Sequence, residues 1–217
     1  MLSRLITQTS RSDFMMACYG GGFRRALMLL GLLTFFTGNA AAETKAYQLD
    51  PTHTSVIASW AHFGFSHPTA TFNKVRGTIQ FDQDDPTKSS VEITLPVNTI
   101  KTGVPELTQE LMNATYFDVQ AHPNATFTSS HVEAAGHNAA GQPQYNVHGS
   151  LVIKEISQPV VFHATLNKIG EHPMAKVPAL GFDAKTVIKR SDFNLDKYVP
   201  HVSDEVTLHI SSEATAQ

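Results

Sequence analysis

The sequence predicts an all-β domain with one short helix, its strands (about eight) closing into an antiparallel up-and-down β-barrel. Three observations carry this prediction. Apolar and polar residues alternate with period 2 along most of the chain after Tyr47, the mark of strands buried on one face. Clusters of Gly, Pro, Asp and Asn separate these stretches at hairpin spacing. The stretches are also long: Thr69–Phe81 reads as one strand of 13 residues. Its contour of roughly 40 Å, at ~3.3 Å per residue, suits a barrel stave better than a sandwich strand.

Tyr47–Asp82 holds the first two strands, which meet at a polar bend over Phe65–Pro68. Val56, Ala58 and Trp60 point one way; Ile57, Ser59 and Ala61 point the other. Beyond the bend, Val75, Gly77, Ile79 and Phe81 share a face opposite Lys74, Arg76, Thr78 and Gln80. Asp82–Ser89 is an acidic turn containing Pro86. Val91, Ile93, Leu95 and Val97 mark the next strand. The β pattern then breaks over Thr102–Asp118. Pro105-Glu106 suits a first helical turn, and Leu107, Leu111 and Met112 supply an apolar face. This helix would cover part of the sheet or one barrel end, with Tyr116-Phe117 as a plug. Strands resume at Ala125–Val132, where Phe127, Ser129 and His131 read as one face. Tyr145, Val147, Gly149, Leu151 and Ile153 follow. A tight turn at Lys154-Glu155 leads to Val160, Phe162, Ala164 and Leu166. Leu180, Phe182, Ala184, Thr186 and Ile188 form a long strand, and Val206, Leu208 and Ile210 form the last.

A barrel of about eight strands is either filled by its own side chains or holds one small ligand. Ala58, Gly77, Gly149, Ala164 and Ala184 share faces with the large apolar residues. Small residues spread over five strands favour an apolar slot along the axis.

Residues 1–42 read as an export leader, with residues 43–217 as the domain. Arg24-Arg25 supplies the positive segment, Ala26–Phe36 the apolar run, and Ala40-Ala41-Ala42 the cleavage site. The run is too short to cross a bilayer, which takes about 20 residues. The expected location is periplasmic. The single cysteine, Cys18, falls within the leader, so the domain holds itself together without disulfides. The chain has 16 basic and 19 acidic residues; removing the leader's Arg4, Arg11, Arg24, Arg25 and Asp13 leaves 12 and 18. A mildly acidic domain without a basic cluster argues against nucleic-acid binding.

A series of short motifs resembles the YceI-like family of secreted polyisoprenoid-binding proteins. These are YQLDPTHTSV at Tyr47, GTIQFD at Gly77, NTIKTG at Asn98, ATYFDVQAHPNATFTSS at Ala114, HGSLVIKEISQPVVF at His148, KRSDFNL at Lys189 and VSDEVTLHI at Val202. The resemblance spans about Tyr47 to Ala214. It implies a lipocalin-like barrel carrying one long-chain isoprenoid, quinone-like or fatty lipid, without catalysis and with no required cofactor. The chain departs from the family at Leu107–Glu110, where the family carries an Arg-Asp-x-His run, and at Ala70 and Glu155, where it carries Gly.

The residues expected to contact such a lipid are Val56, Ala58 and Trp60 on the first strand and Val75, Ile79 and Phe81 on the second. Ile93, Phe127, Tyr145, Val147 and Leu151 would follow, with Phe162, Phe182, Val206 and Leu208 completing the wall. Trp60 and Phe162 are the aromatic residues expected to touch the chain itself. His53, Arg190 and Asp192 match the family and would form a polar mouth, or a structural bridge at the barrel end. A homodimer and transient contact with a membrane or lipid donor stay open.

Eleven histidines raise two rival readings, a metal-binding barrel and a pH-responsive one. Neither an H-x-H nor an H-E-x-x-H motif is present, and no metal site is expected, although His131, His163 and His209 could converge across strands. A lipid-modifying barrel enzyme is the third rival. The sequence has no G-x-S-x-G elbow and no phosphate-cradling loop, so no enzymatic activity is expected.

Overall fold

The structure is a computed structural model describing residues 44–217. The predicted leader over residues 1–42 lies outside the described residues. Ten strands and one α-helix follow in order. They are β1 (Lys45–Leu49), β2 (Ser55–His62), β3 (Thr69–Phe72), β4 (Arg76–Phe81), β5 (Ser90–Pro96), α1 (Pro105–Met112), β6 (Asn124–His137), β7 (Pro143–Ile153), β8 (Ile156–Glu171), β9 (Pro178–Lys189) and β10 (Val202–Ala216).

These strands close into an eight-stranded antiparallel barrel, as the alternation predicts. The ring runs β1-β4-β5-β6-β7-β8-β9-β10 and returns to β1 through Tyr47↔Ala216 and Leu49↔Ala214. Closure leaves no edge along the ring. β2 and β3 are continuations of the first two staves. β2 lies along the first half of β10, pairing Trp60 with Val206 and Val56 with Ile210, while β1 takes the second half.

The 13-residue strand expected over Thr69–Phe81 is therefore two strands. It breaks at Asn73–Val75, where Lys74 adopts a left-handed backbone at φ 59°. The halves have different partners: β3 pairs with β2, and β4 with β1 and β5. The free side of β3 is taken up by the segment after β5. Thr71 and Lys101 exchange backbone hydrogen bonds of 2.8 and 2.9 Å, and Thr99 Oγ1 accepts from the Asn73 amide and donates to its carbonyl.

The helix forms where Pro105 opens it at its first position. Its Leu111 and Met112 pack on the core, as do Tyr116 and Phe117, and Phe117 meets Phe72 edge-to-face at 6.0 Å. The predicted helix and plug thus cover one end of the barrel. Lys197 Nζ donates to Glu110 Oε1 at 2.9 Å, so Glu110 ties the helix to the loop before β10.

β6 corrects a second expectation. Its register shifts between Ser129 and His131, so that Ser129 faces Gly149 while His131 faces His148. Ser130 is the extra residue of a β-bulge, and a bulge reverses the parity of every side chain beyond it. Phe127 points inward as expected. His131 turns outward, and Val132 takes the inward place, 4 % exposed.

Candidate functional site

The inward faces of the barrel enclose a cavity of about 170 Å³. Val56, Val75, Ile79, Phe81 and Ile93 line it from the first half of the ring. Phe127, Tyr145, Val147, Leu151, Phe162, Phe182 and Leu208 line it from the second. The sequence pattern placed all of these on the inner wall.

Three expected wall residues stand elsewhere. Ala58 and Trp60 on β2, and Val206 opposite Trp60 on β10, do not line the cavity. β2 is the far half of a broken stave, and the cavity lining ends at Val56 on β2 and at Leu208 on β10. Ala58 and Val206 are buried core, and Trp60 is partly buried against it.

Two of the small residues expected to leave room do not. A Cβ on Gly149 would lie 2.5 Å from Phe127 Cζ, and one on Gly77 would lie 2.1 Å from the Glu92 carbonyl oxygen. Both glycines admit close neighbours, not empty space. Ala164 and Ala184 do face the cavity.

The expected set missed Leu49, Val91, Leu95, Ala125, Val132 and Ile210, along with Thr54, Ser89, Thr126 and Ser212. Leu95 and Ile210 sit on faces already legible from the alternation, whereas Val132 was hidden by the bulge. Three of the hydroxyl residues carry no signal because their oxygens serve the backbone. Ser89 Oγ accepts from the Asp82 amide at 3.0 Å, and Ser212 Oγ donates to the Phe182 carbonyl at 3.0 Å. Thr54 Oγ1 exchanges longer hydrogen bonds with the Glu213 backbone. The wall they join is almost wholly apolar, and among the described residues no ionisable group other than the Tyr145 phenol lines it. Burial pushes that phenol's pKa up, which keeps it neutral.

Aromatic rings organise the interior. Phe81, Tyr145 and Phe182 form a triangle of edge-to-face contacts at 5.6 to 6.1 Å. Phe127 meets Phe162 at 4.9 Å, again edge-to-face. Such pairs hold their rings in defined orientations.

The polar residues expected at a mouth do not assemble. Arg190 is buried, and its guanidinium is spent on backbone carbonyls: Nε donates to Ser203 at 2.8 Å, Nη2 to Val202 at 2.8 Å, and Nη1 to Lys197 at 3.0 Å and to Leu195. Burial lowers its pKa from the usual arginine value. Asp192 is exposed, and only its carbonyl is engaged, by Gln158 Nε2 at 3.0 Å. Arg190 is thus the structural bridge of the two expectations. His53 sits in the turn between β1 and β2, bonded to Asp50 at 2.7 Å. That turn binds β10 at Glu213, whereas Arg190 binds it at Ser203. Ten residues of strand, roughly 33 Å, separate the two points, so His53 and Arg190 cannot share a mouth.

The His131, His163 and His209 convergence also fails. His163 and His209 both pair with Lys185 on either side of β9. His131 instead stacks on His148 at 4.1 Å.

With this geometry, the chain matches the YceI-like domain model over residues 47–214. The chain belongs to the YceI-like family. Protein YceI of Salmonella arizonae is 32 % identical over 188 residues, covering 87 % of this chain and 95 % of the relative. The crystal structure of Burkholderia cenocepacia BcnA superposes with a TM-score of 0.68 at 27 % identity, covering 77 % of this chain and 99 % of that one. A polyisoprenoid-binding domain from Saccharophagus degradans shares the fold, with a TM-score of 0.61 at 14 % identity and coverages of 80 % and 99 %. The YceI-like barrel is thus shared down to low identity.

Proposed function

We propose that this protein is a periplasmic carrier that holds one long-chain apolar lipid, an isoprenoid, quinone-like or fatty chain, in its barrel. The observation that carries the reading is the cavity wall: apolar side chains from eight staves, with the Ser89, Ser212 and Thr54 hydroxyls committed to the backbone. Such a wall rewards burial of alkyl surface by about 25 cal/mol per Å² and offers nothing to an ionised group, whose burial without a partner is costly. The chain of the ligand belongs inside and any charged head group outside. The polyisoprenoid-binding description of the Saccharophagus degradans domain supports the isoprenoid class. The Arg24-Arg25, apolar-run and Ala40-Ala41-Ala42 pattern supports export.

The experiment is native mass spectrometry of the protein purified from the periplasm, followed by organic extraction and mass analysis of what it releases. A discrete added mass matching a long-chain lipid is expected. A bare polypeptide that also fails to take up added polyprenol, quinone or fatty acid would reject the reading. Absence of the protein from the periplasmic fraction would reject the location.

A further inference from the structure

A second constellation lies on the outer face of the barrel, away from the cavity. The bulge at Ser130 turns His131 outward, two residues from Glu133 and opposite His148 on β7. The imidazole rings of His131 and His148 stack with centroids 4.1 Å apart, 12° from parallel. Both rings address one carboxylate. His131 Nε2 lies 3.5 Å from Glu133 Oε1, and His148 Nε2 lies 3.4 Å from Glu133 Oε2. One ligand atom from each of the three residues falls within 4.8 Å of the other two.

Local hydrogen bonding assigns the tautomer of His131. Ser130 Oγ is 3.3 Å from the His148 carbonyl oxygen and 3.2 Å from His131 Nδ1. A hydroxyl has one hydrogen and a carbonyl can only accept. The hydroxyl therefore donates to the His148 carbonyl and accepts from Nδ1–H of His131. In the neutral ring this leaves Nε2 with a lone pair, facing a carboxylate oxygen, acceptor against acceptor. His148 Nε2 is closed to solvent and without a hydrogen-bond partner, its approach to Glu133 lacking the required alignment. Two imidazole nitrogens and a carboxylate thus stand within 4.8 Å of one another, and a cation drawn between them takes a lone pair from each once His148 carries its proton on Nδ1 and the two rings tilt out of their stack.

We propose that His131 Nε2, His148 Nε2 and Glu133 bind a divalent transition-metal ion, for which zinc is the fitting case. Zinc accepts imidazole nitrogen and carboxylate oxygen at roughly 2.0–2.2 Å, a distance these side chains reach by closing in around the ion. Ser130 is the positioning residue, because its contact with Nδ1 turns the lone pair of Nε2 toward the ion. Three protein ligands leave a fourth position for water or for a donor from another molecule. His131 and Glu133 stand exposed on the outer face of the β6–β7 pair, with His148 half-buried beside them, so the ion reaches the site from the solvent side. The other candidate, at Asp50, His53 and Glu213, has no such need. His53 already bonds Asp50 at 2.7 Å, and Glu213 already pairs with His172 at 3.1 Å.

The test is calorimetric titration of zinc into the chelator-dialysed full chain carrying Cys18→Ser, which removes its only thiol. One equivalent binds saturably to this parent. His148→Ala and Glu133→Gln each weaken binding at least ~10-fold, and Ser130→Ala by roughly 10-fold. His53→Ala leaves it unchanged. In nitrogen-detected NMR of the parent, the Nε2 signals of His131 and His148 move on adding zinc, a readout that does not depend on how the variants fold. Absence of saturable uptake, uptake unchanged in His148→Ala, or uptake abolished by His53→Ala would each overturn the assignment.

Discussion

The Phe127 ring fills the space in which a side chain on Gly149 would begin, with Phe127 Cζ and Cε2 standing 2.5 and 2.6 Å from the position of that absent Cβ. The Thr128 carbonyl lies at 2.4 Å on the same side, and backbone cannot yield as a side chain can. Gly149→Ala is therefore expected to destabilise the barrel by about 1–3 kcal/mol, the usual cost of overpacking. Urea denaturation reads this directly, and a midpoint equal to that of the parent would refute the close packing described here.

Phe162 lines the cavity and Trp60 does not, which separates the two aromatic residues experimentally. Phe162→Ala should lower lipid occupancy, read as the ligand-bound fraction in native mass spectra, more than it lowers the melting temperature. Trp60→Ala should do the reverse. Equal behaviour of the two variants would contradict the end of the cavity at Val56 and Leu208.

Lys154 and Glu155 form the two-residue turn between β7 and β8, both at positive φ (51° and 67°). Hairpin turns of this kind favour Asn-Gly because side chains resist that backbone region. Glu155→Gly should relieve about 1 kcal/mol of strain and raise the melting temperature by roughly 2–4 °C. Calorimetry checks the sign, and a lower melting temperature would show that Glu155 makes a compensating contact.

Acid sensitivity should fall on carboxylates whose hydrogen bonds favour the charged form, Asp50 and Asp204 among them. Asp50 is held far below the usual carboxylate range by hydrogen bonds from the Thr52 side chain, His53 and the Thr52 amide. Burial pushes Asp204 up, but the amide and hydroxyl of Ser191, each at 2.8 Å, with Arg190 beyond, outweigh it and leave the group lowered. A depressed folded pKa stabilises the fold above the unfolded value of about 3.9. That contribution is lost as pH falls through the folded value. The urea midpoint should thus drop as pH falls below about 4, and Asp50→Asn and Asp204→Asn should each make the drop shallower. Unchanged steepness in both would place the acid lability elsewhere.

Much of the barrel was legible because β7, β8 and β9 alternate large apolar residues with polar ones over their cavity-facing stretches. Tyr145, Val147 and Leu151, or Phe182 and Ile188, can face only one way in such a strand. What stayed illegible were departures from period 2. Thr128, Ser129 and Ser130 are small and polar, so inserting one residue among them changes no visible pattern, yet it reverses His131 and Val132. The break at Lys74 falls in a polar stretch with no glycine or proline of its own. Arg190 shows the other limit. An arginine beside Ser-Asp reads as a group for a ligand, and only the fold reveals four carbonyls waiting for it.

The seam where β1 meets β10 has a consequence for how the domain assembles. Gln217 and Gln48, 169 positions apart, hydrogen-bond across it. Such a pairing is as non-local as this domain allows, and loops of that span close late and slowly. A sheet whose seam had not yet closed would be an open trough with an apolar floor and two unpaired flanks. A cargo chain laid in that trough would meet the inner wall with no gate to pass. Assembly in the presence of cargo and uptake by the finished barrel are thus two distinct routes to the loaded protein, and their rates need not resemble each other.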